Sequence, residues 1–281
     1  MKDKKNKRHE NDYTRVIRNS QYIPIRDDDL VVRTDLGRCT KIKYISNKNK
    51  TNCIKRESKT EYIDKRTGEL KEYNLNKLTS RKSVNRKLTK YEELVIYNFQ
   101  GNKNELFITL NCRENITDIA DIKKFFKRFI KKLRKDYEGL EYIYMPEQTE
   151  NGCWHIHLFI KCTTLDYFFI KAQKLYDYWG QGGVYVMQNR NTFKTLNHSK
   201  DKRDDRLERF RHFPKGCRMC NASRGIKKPP KQVKVYAECE ELDTSKYKRY
   251  MTKTYKVKNE LTNRTISIIS TEMYKKIDKD K

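Results

Sequence analysis

The sequence contains no run of about 18 consecutive apolar residues and no apolar signal-peptide core, so it offers neither a membrane-spanning helix nor a secretion leader. A cytoplasmic protein is expected. There is no Walker phosphate loop, which argues against a fused helicase, and no internal repeat. Acidic residues are scarce: 37 Asp and Glu stand against 65 Lys and Arg, for a formal charge of +28. A domain that basic repels itself unless an anionic polymer neutralises it, and nucleic acid is the natural partner. The 19 Tyr add flat rings able to stack on unpaired bases. Histidine is rare, with five in 281 residues. Eight Cys without a secretion signal read as free thiols or metal ligands rather than disulfides.

Apolar and charged residues each make up 36% of the chain, a balance that fits a folded core carrying basic, poorly ordered extensions. Residues 1–81 hold only short apolar clusters, Tyr22 to Ile25 and Leu30 to Val32, and are expected to be a basic arm of low order. Residues 82–260 are expected to form one domain, interrupted by an insertion at about 188–231 where the pattern dissolves into charge, Asn and Pro. Residues 261–281 are expected to be a tail.

Within that domain Val84, Leu88, Tyr91, Leu94 and Val95 recur at helical spacing. Glu105 to Cys112 is a β-branched and aromatic run that reads as a buried strand. Past Thr117, a candidate N-cap, Ile119, Ile122, Phe126, Phe129 and Leu133 mark one stripe of a helix that stops near Gly139. Glu141 to Met145 and Trp154 to Ile160 flank the turn signal Glu150-Asn-Gly and predict a hairpin. A helix over 165–179, a strand over 184–187, a strand over 233–236 and a closing helix over 244–258 complete the order. That order predicts an α+β fold, an antiparallel or mixed sheet with helices packed on one face.

Two of the five His fall in Trp154-His-Ile-His-Leu158, where the two-residue period of a strand puts both imidazoles on one face. Two ring nitrogens can then converge on one ion. Glu147 can bring a carboxylate to the same ion across the turn; Gln148 is the competing third ligand, because strand parity through the turn is open. Two imidazoles and one carboxylate leave positions for water or phosphate oxygen, which suits Mg²⁺ or Mn²⁺ acting as a Lewis acid. In the predicted closing helix, Tyr250-Met-Thr-Lys253 places a phenol and an ammonium about one turn apart. A tyrosine hydroxyl titrates at about 10, so as a nucleophile it needs a nearby cation or a metal-polarised phosphate. Tyr255-Lys-Val-Lys258 repeats the spacing on a different part of the helix surface. Cys217-Arg-Met-Cys220 has the spacing of half a zinc knuckle, with His198, His212 or Cys239 as candidates to complete it. Arg113, just past the first strand, and Arg224, Lys227 and Lys228 in the insertion are candidate phosphate contacts.

These motifs resemble those of the rolling-circle replication initiators, the phage and plasmid Rep proteins of the HUH endonuclease superfamily. Phe107-Ile-Thr-Leu-Asn111 resembles the family's first strand motif, His155-Ile-His157 its metal motif and Tyr250-Met-Thr-Lys253 its tyrosine motif. Tyr178-Trp-Gly-Gln-Gly-Gly-Val184 and Ser223-Arg-Gly-Ile-Lys-Lys-Pro229 are also similar. The resemblance implies an RRM-like α+β core and a metal ion held by His155, His157 and Glu147. It further implies that Tyr250 attacks origin DNA, leaving a 5′-phosphotyrosine and a free 3′-OH while Lys253 positions the tyrosine or neutralises charge. Some relatives carry a second tyrosine four residues away; here position 246 is a lysine, so one nucleophile is expected, with Tyr247 and Tyr255 in reserve. The implied partners are single-stranded or hairpin origin DNA and, in a bacterial host cell, a helicase and a DNA polymerase. A non-catalytic DNA-binding protein and a transposase or relaxase are the competing readings.

Overall fold

The structure, a computed structural model, describes residues 14–19, 24–46, 54–58, 60–65, 67–73, 79–113, 116–149, 152–196, 203–214, 216–240, 242–243, 245–259 and 262–277. Glu150, Asn151 and His198 lie outside them. The chain begins with β1 (Thr14–Asn19), β2 (Leu30–Asp35), β3 (Cys39–Ile45), β4 (Ile54–Arg56), β5 (Glu61–Asp64), β6 (Leu70–Glu72) and α1 (Arg81–Asn98). It continues with β7 (Glu105–Leu110), α2 (Ile119–Asp136), β8 (Leu140–Gln148), β9 (Trp154–Cys162), α3 (Ala172–Trp179) and β10 (Val184–Gln188). Then come α4 (Thr192–Leu196), α5 (Arg203–Arg211), β11 (Asn221–Ala222), β12 (Lys231–Val235), β13 (Tyr247–Asn259) and β14 (Thr265–Lys276). The strands form antiparallel sheets, and with the helices they make an α+β protein.

Two compact units divide the chain, a middle unit of residues 76–229 and a terminal unit of residues 1–75 with 230–281. The middle unit holds a five-stranded sheet in the order β10-β7-β9-β8-β11. Along β9, Trp154, Ile156, Leu158, Ile160 and Cys162 are all buried on one face. That face lies under α2, whose Phe126 ring packs 3.9 Å from Tyr144 between centroids. The α2 stripe is the expected one, Ile119, Ile122, Phe126, Phe129 and Leu133 being buried together with Ile130. Its cap is Asp118 rather than Thr117, the carboxylate accepting from the Ala120 amide at 2.8 Å. α3 is shorter than expected because Phe168 and Ile170 are buried in a non-helical segment whose Phe168 amide donates to the Lys103 carbonyl at 3.1 Å. Helices occupy both faces of this sheet, not one. The C-terminal end of α1 lies opposite α2, where Phe99 packs 5.5 Å from Phe159.

The terminal unit departs most from expectation. Residues 14–73, composed like an arm of low order, carry six strands, and residues 265–276, taken for a tail, form β14. Five of these elements and β12 build a six-stranded sheet, β1-β13-β14-β3-β2-β12, beside the three-stranded β4-β5-β6. The expected closing helix is the strand β13, hydrogen-bonded to β1 on one side and β14 on the other. Thr252, Thr254, Tyr255 and Val257 favour a pleated strand over a helix, and a central position satisfies the backbone on both sides.

Candidate metal centre

The antiparallel register of β8 and β9 sets Glu147 opposite His155 and Met145 opposite His157, while Thr109 of β7 stands opposite His157 from the other side. Directly opposed residues share a face. Glu147, His155 and His157 therefore converge, and Gln148, paired with Trp154, belongs to the other face. The two imidazole Nε2 atoms are 3.0 Å apart, His157 Nε2 is 3.6 Å from Glu147 Oε2, and one donor atom from each residue lies within 4.8 Å of the others. Neighbouring ligands of an octahedral ion held at about 2.1 Å stand about 3 Å apart, so this donor set fits a small divalent cation. Two ring nitrogens this close need either a proton or a cation between them.

The surroundings fix the ligands. Thr109 Oγ1 stands 3.4 Å from His157 Nδ1, and Phe107 stacks on the same imidazole with centroids 5.8 Å apart and planes 14° from parallel. A partner at Nδ1 leaves Nε2 for the centre. Glu147 is only 2% exposed. Its carboxylate takes Arg209 Nη2 on Oε1 at 2.9 Å and Arg206 Nη2 on Oε2 at 3.2 Å. Burial pushes this carboxyl up, but Arg206, His157, Arg209 and His155 together outweigh it and hold it below the usual carboxylate range. Both guanidinium groups come from α5, inside the stretch that the sequence left without pattern. The available signal was Leu207, Phe210 and Phe213 at helical spacing, all buried, which turns Arg206 and Arg209 toward the sheet. Tyr91 of α1 is buried and within electrostatic reach of Arg206 and Glu147, and burial pushes its phenol well above the ordinary tyrosine range.

The other candidate residues are distributed more widely. Tyr250 and Lys253 lie in the terminal unit on β13, so the helical spacing that would pair them is absent. Tyr250 occupies the register shift between Arg249 and Met251, and Lys253 pairs with Thr271. Tyr250 is 49% exposed, whereas Tyr247 and Tyr255 are half-buried. Partial burial and the Cys39 thiol push the Tyr250 phenol above its ordinary range. Arg113 is exposed, with its guanidinium 5.3 Å from the Tyr176 ring centroid. Arg224, Lys227 and Lys228 are exposed on a loop that the core clamps. Asn98 Nδ2 donates to the Lys227 carbonyl at 2.7 Å and its Oδ1 accepts from the Lys227 amide at 3.0 Å. Glu141 accepts from the Ser223 hydroxyl and, at 3.1 Å, from the Gly225 amide. Among the described residues, no group of three metal-ligating side chains includes Cys217, Cys220, His212 or Cys239.

Fold and centre together define an α+β sheet domain that gathers two imidazoles and a buried carboxylate on one face. The family model of the replication-associated protein ORF2 matches residues 105–215, from the start of β7 past the end of α5. This region, which contains the whole candidate centre, is a domain of that replication-associated family, consistent with a rolling-circle replication initiator. Searches of curated proteins and of solved structures found no match to the chain. Among the described residues, no helix is long and apolar enough to cross a membrane.

Proposed function

We propose that this protein nicks and rejoins single-stranded DNA at a replication origin and so starts rolling-circle replication. The observation that carries the reading is the convergence of Glu147, His155 and His157 within 4.8 Å, inside a stretch matching a replication-associated family. These three residues would hold Mg²⁺ or Mn²⁺, which when bound supplies Lewis-acid polarisation of a phosphate. Thr109 and Phe107 keep the His157 ring aimed at the centre, and α5 keeps Glu147 ionised. Tyr250 is the proposed nucleophile, because of the three tyrosines in its motif it is the exposed one. Its Oη forms a bond to phosphorus, the bond from phosphorus to the 3′ oxygen breaks, and the phenolic proton ends on that oxygen. The products are a 5′-phosphotyrosine and a free 3′-OH. Lys253 neutralises charge as the phenol gives up its proton. Arg113, Arg224, Lys227 and Lys228 hold the strand through its phosphates, and host helicase and polymerase supply unwinding and synthesis.

Incubation with Mn²⁺ and a single-stranded origin oligonucleotide should yield a protein–DNA adduct that survives SDS. Tyr250→Phe should abolish the adduct, and Tyr91→Phe, Tyr247→Phe and Tyr255→Phe should keep it. His155→Ala should bind the oligonucleotide without forming the adduct. An adduct retained by Tyr250→Phe and lost by Tyr91→Phe would move the nucleophile to α1.

A further inference from the structure

The six-stranded sheet of the terminal unit has a cleft that the nicking reading does not use. Its volume is about 490 Å³, and Arg33, Tyr44, Gln232, Lys234, Tyr236 and Tyr274 are among the residues lining it. The register makes it a built face: Arg33 stands opposite Ile42 and Gln232, Lys234 opposite Val31, and Val31 opposite Tyr44. Opposed and alternate residues share one side of a sheet, so β2, β3 and β12 deliver rings, cations and an amide to the same place. Tyr44 and Tyr236 stand edge to face, with centroids 6.2 Å apart and planes at 67°.

Two of the rings are locked through their hydroxyls. The Tyr274 hydroxyl donates to Glu272 Oε2 at 2.6 Å, the Tyr44 hydroxyl bonds to the same carboxylate, and Arg249 Nη1 neutralises it at 3.0 Å. With the hydroxyls engaged beneath, the ring surfaces of Tyr44 and Tyr274 are what the cleft can offer a ligand, beside the half-buried ring of Tyr236. The amide of Gln232 and the carboxylates of Asp27 and Glu240, also on the lining, can pair with amino groups on the edge of a base. Arg33 and Lys234 provide charge for a phosphate.

We propose that this cleft binds an unpaired nucleotide of single-stranded DNA, stacking its base on the tyrosine rings and setting its phosphate against Arg33 and Lys234. Flat apolar rings, edge acceptors and flanking cations together match a nucleotide released from base pairing, whose faces and edge are both available. A duplex hides the faces. The proposal rests on the reading of the protein as one that acts on single strands, and it assigns the terminal unit the task of holding a strand while the centre in residues 76–229 carries the chemistry.

The test uses the full chain in EDTA, so that no cleavage occurs, and measures fluorescence anisotropy of a labelled single-stranded oligonucleotide and of its duplex. Tyr236→Ala should weaken single-strand binding about five- to a hundredfold, leave duplex binding unchanged, and be rescued by Tyr236→Phe. Lys234→Gln, at an exposed position, should weaken the single strand and serve as the variant that leaves the fold intact. Equal loss on single strand and duplex, or no loss in either variant, would overturn the proposal. So would saturating dAMP displacing the oligonucleotide at equal affinity, which would make the cleft a free-nucleotide site. The nicking reading is judged separately by the SDS-stable adduct in Mn²⁺. An adduct with cleft variants that bind normally sinks only the cleft. Cleft variants that lose single-strand preference in a protein that never forms an adduct sink only the nicking.

Discussion

Glu147 has more cationic neighbours than one carboxylate needs. Arg206 and Arg209 lie at 3.2 and 2.9 Å and the His157 ring at 3.6 Å, so an arriving divalent cation meets two fixed positive charges that already occupy its only anionic ligand. Coulomb repulsion at these separations, screened by an effective dielectric of about 20, amounts to a few kcal/mol before water relaxes. Arg209→Gln should therefore tighten Mn²⁺ binding by about tenfold in titration calorimetry while leaving the fold intact. Unchanged or weaker binding would show that the guanidinium groups orient Glu147 for the ion instead of competing with it. The pair His155 and His157 was legible from the sequence because a strand's period is two. The choice between Glu147 and Gln148 was not, since it depends on the register across residues 149–153, and only the pairing of Glu147 with His155 decides it. The arginines were hidden for a different reason. Their helix is so charged that its apolar contacts, Leu207 and Phe210, do not stand out from the surrounding composition.

Elements with a strong period were read correctly and those stabilised by distant partners were not. α2 shows its stripe, and β7 and β9 show their apolar runs. β13 was taken for a helix because Tyr250 and Lys253 are three apart, although its alternating Thr, Tyr and Val are strand formers. What holds it as a strand is pairing with β1 and β14, partners that no local window contains. The glycine-rich segment after α3 illustrates how neighbouring elements fix each other. Gly180 ends the helix at φ 66°, and Trp179 Nε1 donates to the Asn111 carbonyl at 2.6 Å. The backbone of Gly182 passes so close to β7's exit that an added Cβ would meet the Arg113 nitrogen and the Asn111 oxygen at 2.6 Å. No side chain can move aside there, because both obstacles are backbone. Gly182→Ala should therefore lower unfolding stability by about 1–3 kcal/mol. Gly180→Ala, in open space but at positive φ, should cost about 1 kcal/mol. Thermal or urea denaturation orders the two, and the reverse order would refute the backbone contact.

Across the whole molecule, residues 14–73 misled because composition is a local property and their strands are not locally supported. β2 pairs with β12 and β3 with β14, across separations of roughly 200 residues, so each short apolar cluster is buried only when the far end of the chain returns. The middle unit has no such dependence. Its sheet, both helical layers, the buried aromatic core and the complete Glu147, His155 and His157 cluster come from one continuous stretch. Residues 76–229 should accordingly fold when expressed alone, melt cooperatively and bind Mn²⁺ within a fewfold of the full chain's affinity. Because Tyr250 and Lys253 belong to the terminal unit, this fragment should form no SDS-stable adduct with a single-stranded oligonucleotide. An adduct from the fragment would place the attacking group inside residues 76–229. Tyr91, buried beside Arg206 and Glu147, would then be the first residue to substitute. A fragment that failed to fold would instead make the terminal unit's sheet part of the core's support and contradict the division into two self-sufficient units.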